Sequence, residues 1–356
     1  MQVPLMAPEQ MAATNQSRST VDWPLAVSIA IRLAPSGPVL SQRETQAAVD
    51  MLRELALEAV APVQRVTGLV APAGSRAQVV DRPAWIASNV SGMQIALAAL
   101  SERVEGGGPP DLVRGIGARG SAVQLGAVLA WLSGKVLGQY EVFTEPGQPG
   151  RLLLVAPTIV QVEQQLQVPS RDFRLWVCLH EETHRVQFGA VPWLGAYLAS
   201  LVNEFIEASD LSFSETLRRV AAVMGSIARK GSLVEAVQSP EQREVFDKMT
   251  GVMSLLEGHA DVVMDDVGPQ VIPSVALIRE RFTARRNSPK AIDALVRRAL
   301  GMDMKMRQYT EGAAFVRHVV DDIGMSGFNQ VWASPMTLPT RTEITNPGAW
   351  VKRMAS

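Results

Sequence analysis

The segment Ser170–Pro192 reads SRDFRLWVCLHEETHRVQFGAVP, and this stretch decides the fold. Ser170 is a candidate N-cap, and Asp172 falls in the first turn, where an acidic side chain favours a helix. Apolar residues recur through the segment at helical intervals, and Gly189 followed by Pro192 is typical of a helix end. The sequence therefore predicts one helix across this segment.

Two of the four histidines in the chain, His180 and His184, stand in this helix as the ends of HEETH. Residues i and i+4 of a helix lie about 40° apart on one face, so both imidazoles can reach one Zn²⁺. Glu181, about 100° round the helix, can reach a water molecule at the same ion. The H-E-x-x-H pattern thus predicts a mononuclear zinc site with Glu181 as general base. A di-iron carboxylate site is disfavoured, because no second Glu-x-x-His occurs in the chain.

Glu182 and Cys178 lie in the same helix but outside the histidine pair. Glu182 points away from the pair, which predicts a solvated surface carboxylate. Cys178 has the apolar neighbours Val177 and Leu179, which predict a buried core thiol. As the only cysteine, it excludes an intramolecular disulfide framework and a cysteine-rich zinc module.

Three residues compete to be the third zinc ligand. Glu257 and His259 lie in LEGHAD, within a predicted helix over Gln242–Val267, whereas Glu204 follows the second histidine by twenty residues. Glu257 begins a polar stripe that continues one turn on with Asp261, while His259 shares its face with apolar residues. We expect Glu257 to be the ligand and keep His259 and Glu204 as alternatives. Asp261 is placed to orient an imidazole through a hydrogen bond.

The rest of the chain is predicted to be mainly helical with a small β-sheet. The Ser41 capping box begins a helix that Pro62 should stop, and further helical periodicity recurs along the chain. The helical runs are Ile86–Val104, Ala122–Leu137, Trp193–Ala208, Ser212–Ala228, Gln242–Val267, Ala291–Leu300 and Gly312–Ile323. Two β-prone runs, Tyr140–Thr144 and Arg151–Val155, bracket a Gly- and Pro-rich loop and predict a hairpin.

The chain has 356 residues, 47% of them apolar and 19% charged, and a formal net charge of −1. These values disfavour disorder and a nucleic-acid partner, and the apolar windows are too short to span a bilayer. Residues 1–20 carry no signal-peptide pattern and are expected to be a flexible tail, with a cytoplasmic location. Residues 21–356 should form one compact body, or two lobes of about 21–168 and 169–356 that meet at the HEETH helix.

Two weaker sequence patterns, a glycine-rich motif and a basic cluster, each allow a functional and a purely structural interpretation. GIGARG at 115–120 matches G-x-G-x-x-G, but no buried strand precedes it, so a loop with a helix cap is favoured over dinucleotide binding. The basic cluster at 281–286 is expected to be a solvated face.

These segments together resemble a known family. HEETHRVQF with VPWL, LEGHADVVMD, VLGQYEVF, KMRQYTEGAAFV and WVKRM are similar to the bacterial zincin-like metallopeptidase family, type 2. That family is often labelled a zinc-dependent hydrolase associated with deazaflavin-coenzyme biosynthesis. The resemblance runs from about Asp22 to Arg353 and implies a mainly helical zincin-like architecture and a peptidase activity. EGHAD also resembles the E-x-x-A-D pattern of other Glu-liganded zincins, whose Glu matches Glu257 and whose Asp matches Asp261.

The sequence therefore predicts a zinc-dependent hydrolase, most simply a metallopeptidase acting on a peptide or protein. Tyr309 and His318 are candidate stabilisers of the oxyanion. The substrate is expected to lie along the Tyr140–Val155 hairpin. The alternative is a zinc-containing binding or scaffold protein that cleaves nothing. The sequence does not indicate an oligomeric state.

Overall fold

The computed structural model describes residues 21–72, 77–103, 111–145, 148–208, 240–287 and 302–355. Within them the helices are α1 (Trp23–Leu33), α2 (Gln42–Glu58), α3 (Val60–Thr67), α4 (Arg82–Arg103), α5 (Asp111–Ser133), α6 (Ala156–Leu166), α7 (Ser170–Ala190), α8 (Pro192–Glu207), α9 (Pro240–Val271), α10 (Val275–Asn287), α11 (Met302–Phe328), α12 (Arg341–Thr345) and α13 (Pro347–Met354). The strands are β1 (Gln78–Val80), β2 (Gly138–Glu141) and β3 (Arg151–Val155). The expectation of a mainly helical chain with a small sheet is confirmed.

The HEETH helix, α7, lies at the centre of the fold. It packs on α2, α6, α9 and the sheet, so its buried residues include polar as well as apolar side chains. The principal apolar cluster joins α2 and α6 with α7 and α9, and Cys178 is buried within it as predicted. The predicted cap is wrong: Pro169 occupies the N-cap position, and Ser170 is the first helical residue. Asp172 bonds instead to the backbone N–H and hydroxyl of Ser274, which joins the start of α7 to α10.

The small sheet has the strand order β1-β3-β2. The predicted hairpin is confirmed, with β2 antiparallel to β3, although β2 covers Gly138–Glu141 and starts earlier than the predicted run. The parallel strand β1 was missed, because three residues are too few to show alternation. Helices cover both faces of β3, so Leu152–Val155 is buried throughout.

Because β3 is the central strand, it has no free edge for a substrate. Within the Tyr140–Val155 hairpin the β3 half cannot take a peptide, since both edges of that strand are already paired, and docking along the hairpin stays a prediction for β2 alone. The remaining edge beside α7 belongs to β2.

Two local predictions fail for backbone reasons. The Ser41 capping box is present as predicted, but Pro62 does not stop the helical path, because it falls in the first turn of α3, where proline is tolerated. GIGARG lies inside α5 rather than in a loop. Glycines within a helix cannot form the strand-to-helix turn that cradles a pyrophosphate, so this segment lacks the geometry of dinucleotide binding.

Some expectations lie outside the described residues: the tail at 1–20 and the helices at Ser212–Ala228 and Ala291–Leu300. The division into two lobes stays a prediction. None of the helices described is both long and apolar enough to cross a membrane.

The third ligand candidate is positioned by close packing of α9 on α11. Gly258 and Gly312 face each other where the helices meet, and a Cβ on either would collide with the main chain of the other helix. Because only glycine allows this approach, the neighbouring Glu257 has a defined backbone position.

Candidate metal centre

The structure brings His180, His184 and Glu257 together at the contact of α7 with α9. The Nε2 atoms of the two histidines are 3.2 Å apart, and each lies 3.7 Å from one carboxylate oxygen of Glu257. Zinc bonds to histidine nitrogen and carboxylate oxygen are about 2.0–2.2 Å, so ligand atoms of a tetrahedral site lie roughly 3.3–3.6 Å apart. The three residues therefore fit a zinc ion at this point.

The metal centre is open to solvent on one side. The side chains of His180, His184 and Glu257 are 24%, 13% and 29% exposed, respectively. A closed structural site would bury all its ligands, whereas a catalytic site keeps a position for water or substrate. The arrangement therefore has the openness that hydrolysis needs.

Glu181 lies beside this group in a buried position. The pKa of its carboxyl is raised to about 7, chiefly by burial; His184 opposes this rise, and the charge of Glu257 adds to it. The side chain packs against Gly138 of β2, where a Cβ would come within 2.8 Å of Oε1. The Glu181 carboxyl therefore lies near both the candidate ligands and strand β2.

Gln187 connects His184 to a second, buried histidine. Its Oε1 is 2.9 Å from His184 Nδ1, and its Nε2 donates to the carbonyl of Leu256 at 2.9 Å and lies 2.8 Å from His259 Nδ1. His259 is fully buried, and burial lowers its pKa to about 3. His259 is therefore outside the ligand group, as its apolar face suggested.

The remaining candidates are placed as follows. Glu204 is exposed on α8 and is not among the converging ligands. Asp261 is exposed one turn beyond Glu257, where its charge acts on Arg279. Its role in orienting an imidazole stays a prediction.

The two oxyanion candidates both lie on α11. Tyr309 precedes by one turn the Gly312 that contacts Gly258, and its side chain lies outside the described part of the structure. The side chain of His318 is exposed. Their role as oxyanion stabilisers stays a prediction.

Glu182 is not the solvated carboxylate that the sequence predicted. Its side chain is only 2% exposed and forms two hydrogen bonds of 2.6 Å with the guanidinium of Arg185. The face of α7 opposite the histidines packs inside the protein, so the carboxylate needs this partner. Tyr140 of β2 lies near enough to Arg185 and Glu182 for their charges to act on its hydroxyl, and its ring stacks on Phe188.

Two residues that contact the candidate site were missed from the sequence. Gln187 stands three residues after His184, so helical spacing alone puts both on one face. Gly138 lies in the LGQY segment, but its contact with Glu181 depends on the packing of β2 against α7.

A family model described as zincin-like metallopeptidase matches residues 21–351, nearly the whole chain. A chain with a helix-borne H-E-x-x-H and a glutamate from a second helix has the ligand arrangement of that class. The protein belongs to the zincin-like metallopeptidase family.

A solved structure extends this similarity. It is described as a "putative hydrolase with a novel fold" from Chloroflexus aurantiacus, and its sequence is 30% identical. The match covers 94% of this chain and 99% of that one, with a TM-score of 0.67. A search of curated proteins finds no match.

The contact between Gly138 and Glu181 gives a first prediction. We expect Gly138→Ala to lower peptide turnover by about 10-fold or more while zinc content is unchanged, because the new methyl group displaces the buried base. Turnover and metal content are measured on the same purified sample. Gly120→Ala is the matched control, since a Cβ there meets nothing within 4 Å. Normal turnover in Gly138→Ala would show that the base does not depend on this contact.

Proposed function

We propose that the protein is a zinc-dependent metallopeptidase. His180, His184 and Glu257 would hold the ion, and Glu181 would act as the general base. The observation that carries this proposal is that the Nε2 atoms of His180 and His184 on the H-E-x-x-H helix lie 3.2 Å apart and each 3.7 Å from an oxygen of Glu257 on α9. Membership of the family supports it.

In the proposed hydrolysis the zinc ion would activate the water and the carbonyl, and the protein would transfer the proton. When bound, zinc lowers the pKa of a coordinated water towards about 7 and polarises the substrate carbonyl. Glu181 takes the proton of the attacking water on its carboxylate and returns it to the leaving amine. Its burial beside Gly138 holds this carboxylate in one place and keeps bulk water from competing for it.

The free edge of β2 offers a place for the substrate main chain. Leu137 accepts a hydrogen bond from Val155, so in antiparallel pairing the alternate residues Gly138 and Tyr140 point their N–H and C=O groups away from β3. Within the described chain these outward groups have no main-chain hydrogen-bond partner. An extended peptide could pair with them and would pass directly beside Glu181.

Metal analysis and peptide profiling together test the proposal. Purified protein is analysed for zinc and then incubated with a peptide library, with and without a chelator, and products are identified by mass spectrometry. We expect about one equivalent of zinc and cleavage that the chelator removes and zinc restores. Zinc without cleavage would favour the alternative, a metal-containing binding or scaffold protein. Protein without zinc would contradict the metal centre itself.

A further inference from the structure

We propose that Gln187 and His259 are positioning residues that hold His184 with its proton on Nδ1 and so leave Nε2 free for the metal. This inference rests on the proposed function, because it concerns the same metal centre. It goes beyond the proposed function by assigning a role to a glutamine and a buried histidine that are not themselves ligands.

The amide orientation of Gln187 follows from its neighbours. The Leu256 carbonyl can only accept a hydrogen bond, and the Nε2 of Gln187 lies 2.9 Å from it, so the NH₂ group must occupy that side. The Oε1 therefore faces His184 Nδ1, 2.9 Å away. Because an amide oxygen cannot donate, His184 Nδ1 must carry the proton.

His259 reinforces the same orientation. Its Nδ1 lies 2.8 Å from the Gln187 NH₂ group and must accept, so the second amide hydrogen is also used and the His259 proton resides on Nε2. That Nε2 has no hydrogen-bond partner among the described residues and lies among the rings of Phe328 and Trp332. An orphaned buried N–H costs stability, so packing alone does not account for a histidine here, whereas its Nδ1 supplies the acceptor for the Gln187 amide.

These hydrogen bonds place the proton of His184 on Nδ1, which faces Gln187, and leave Nε2 facing Glu257 without one. A free neutral imidazole favours the tautomer with hydrogen on Nε2, and that form cannot bind a metal through Nε2 until the proton moves. Without the acceptor at Gln187, nothing in this group of contacts would favour the Nδ1–H tautomer of His184 or hold its ring in this orientation. Losses of such orienting hydrogen bonds lower metal affinity by about 10- to 100-fold.

Three variants test this inference by zinc affinity, measured by competition with a chromophoric chelator. We expect Gln187→Met, which keeps size and removes the amide, to weaken zinc binding about 10- to 100-fold. His259→Phe should weaken it less, because Leu256 still orients the amide. Gln164→Met makes the same change on the exposed surface of α6 and should leave affinity unchanged. An affinity for Gln187→Met equal to that of the unaltered protein would overturn the proposal.

Nitrogen-15 NMR spectra of the histidine rings show which ring nitrogen carries the hydrogen. A purely structural role of Gln187 would not change this. The chain has only four histidines, so each can be assigned by single substitution. In the metal-free protein at about pH 8, above the ordinary histidine pKa of about 6.5, we expect hydrogen on Nδ1 of His184 and on Nε2 of His259. In Gln187→Met, His184 should shift towards the Nε2–H form.

The spectrum of the unaltered protein decides the case even if Gln187→Met does not fold. Hydrogen on Nε2 of His184 in the metal-free protein would overturn the inference. The measurement needs no zinc, so it also separates the two proposals. An Nδ1–H form of His184 in a protein that binds no metal would support the positioning role while contradicting the proposed function.

Discussion

Glu181→Gln is expected to retain zinc and to lower peptide hydrolysis by a factor of about 10² or more. Glutamine keeps the shape that packs against Gly138 but cannot take a proton from water. Because Glu181 is not among the converging ligands, the ion should stay in place. The measurement is kcat on a cleaved library peptide, together with zinc content of the same preparation.

Glu280→Gln is the matched control, since it makes the same chemical change on the exposed surface of α10. Its turnover should equal that of the unaltered protein. Full turnover in Glu181→Gln would remove this residue from the mechanism. Loss of zinc in that variant would show that the carboxylate holds the ion rather than moving a proton.

The second large effect concerns the ligands themselves. We expect His180→Ala, His184→Ala and Glu257→Ala each to lose zinc on dialysis, because two remaining ligands rarely hold the ion against buffer. Within the described part of the chain no further His, Cys, Asp or Glu joins this group, so we expect no neighbouring side chain to replace one that is removed. Elemental analysis of dialysed protein measures the outcome, and circular dichroism of each variant checks that it is folded.

Glu204→Ala provides the carboxylate control and should keep its zinc, since Glu204 is exposed on α8. Asp261→Ala tests the predicted orienting role of Asp261, which would make this substitution lower zinc affinity by about 10- to 100-fold. If Glu204→Ala or His259→Ala removed zinc while Glu257→Ala kept it, the third ligand would be misassigned. The histidine pair would still stand.

Long helices with strong periodicity were predictable, and so was the hairpin. The runs that became α7 and α9 show apolar spacing over many residues, and the loop between β2 and β3 has typical turn composition. The sequence predictions failed where the burial of a side chain depends on which element packs against it. Glu182 was assigned to the surface because its angle from the histidines was known, whereas the packing that buries this face of α7 is a tertiary feature.

The same distinction holds for the candidate metal centre: residues on one helix were predictable, and contacts between helices were not. The histidine pair and Glu181 depend on one helix, so their spacing alone predicted them. Glu257 required a choice among three residues, because the meeting of α7 with α9 is a tertiary contact. Gln187 lies within reach of helical geometry, but its hydrogen bonds to Leu256 and His259 come from α9 and could not be read from α7 alone.

The contact between Gly258 and Gly312 has a consequence for how the protein responds to heat. A bound ion would tie α7 to α9, and the glycine contact ties α9 to α11, so three helices from separate parts of the chain would resist separation together. A ligand that binds only the folded state raises its stability by mass action. Bound zinc should therefore stabilise the folded protein, and its melting temperature should rise with the free zinc concentration.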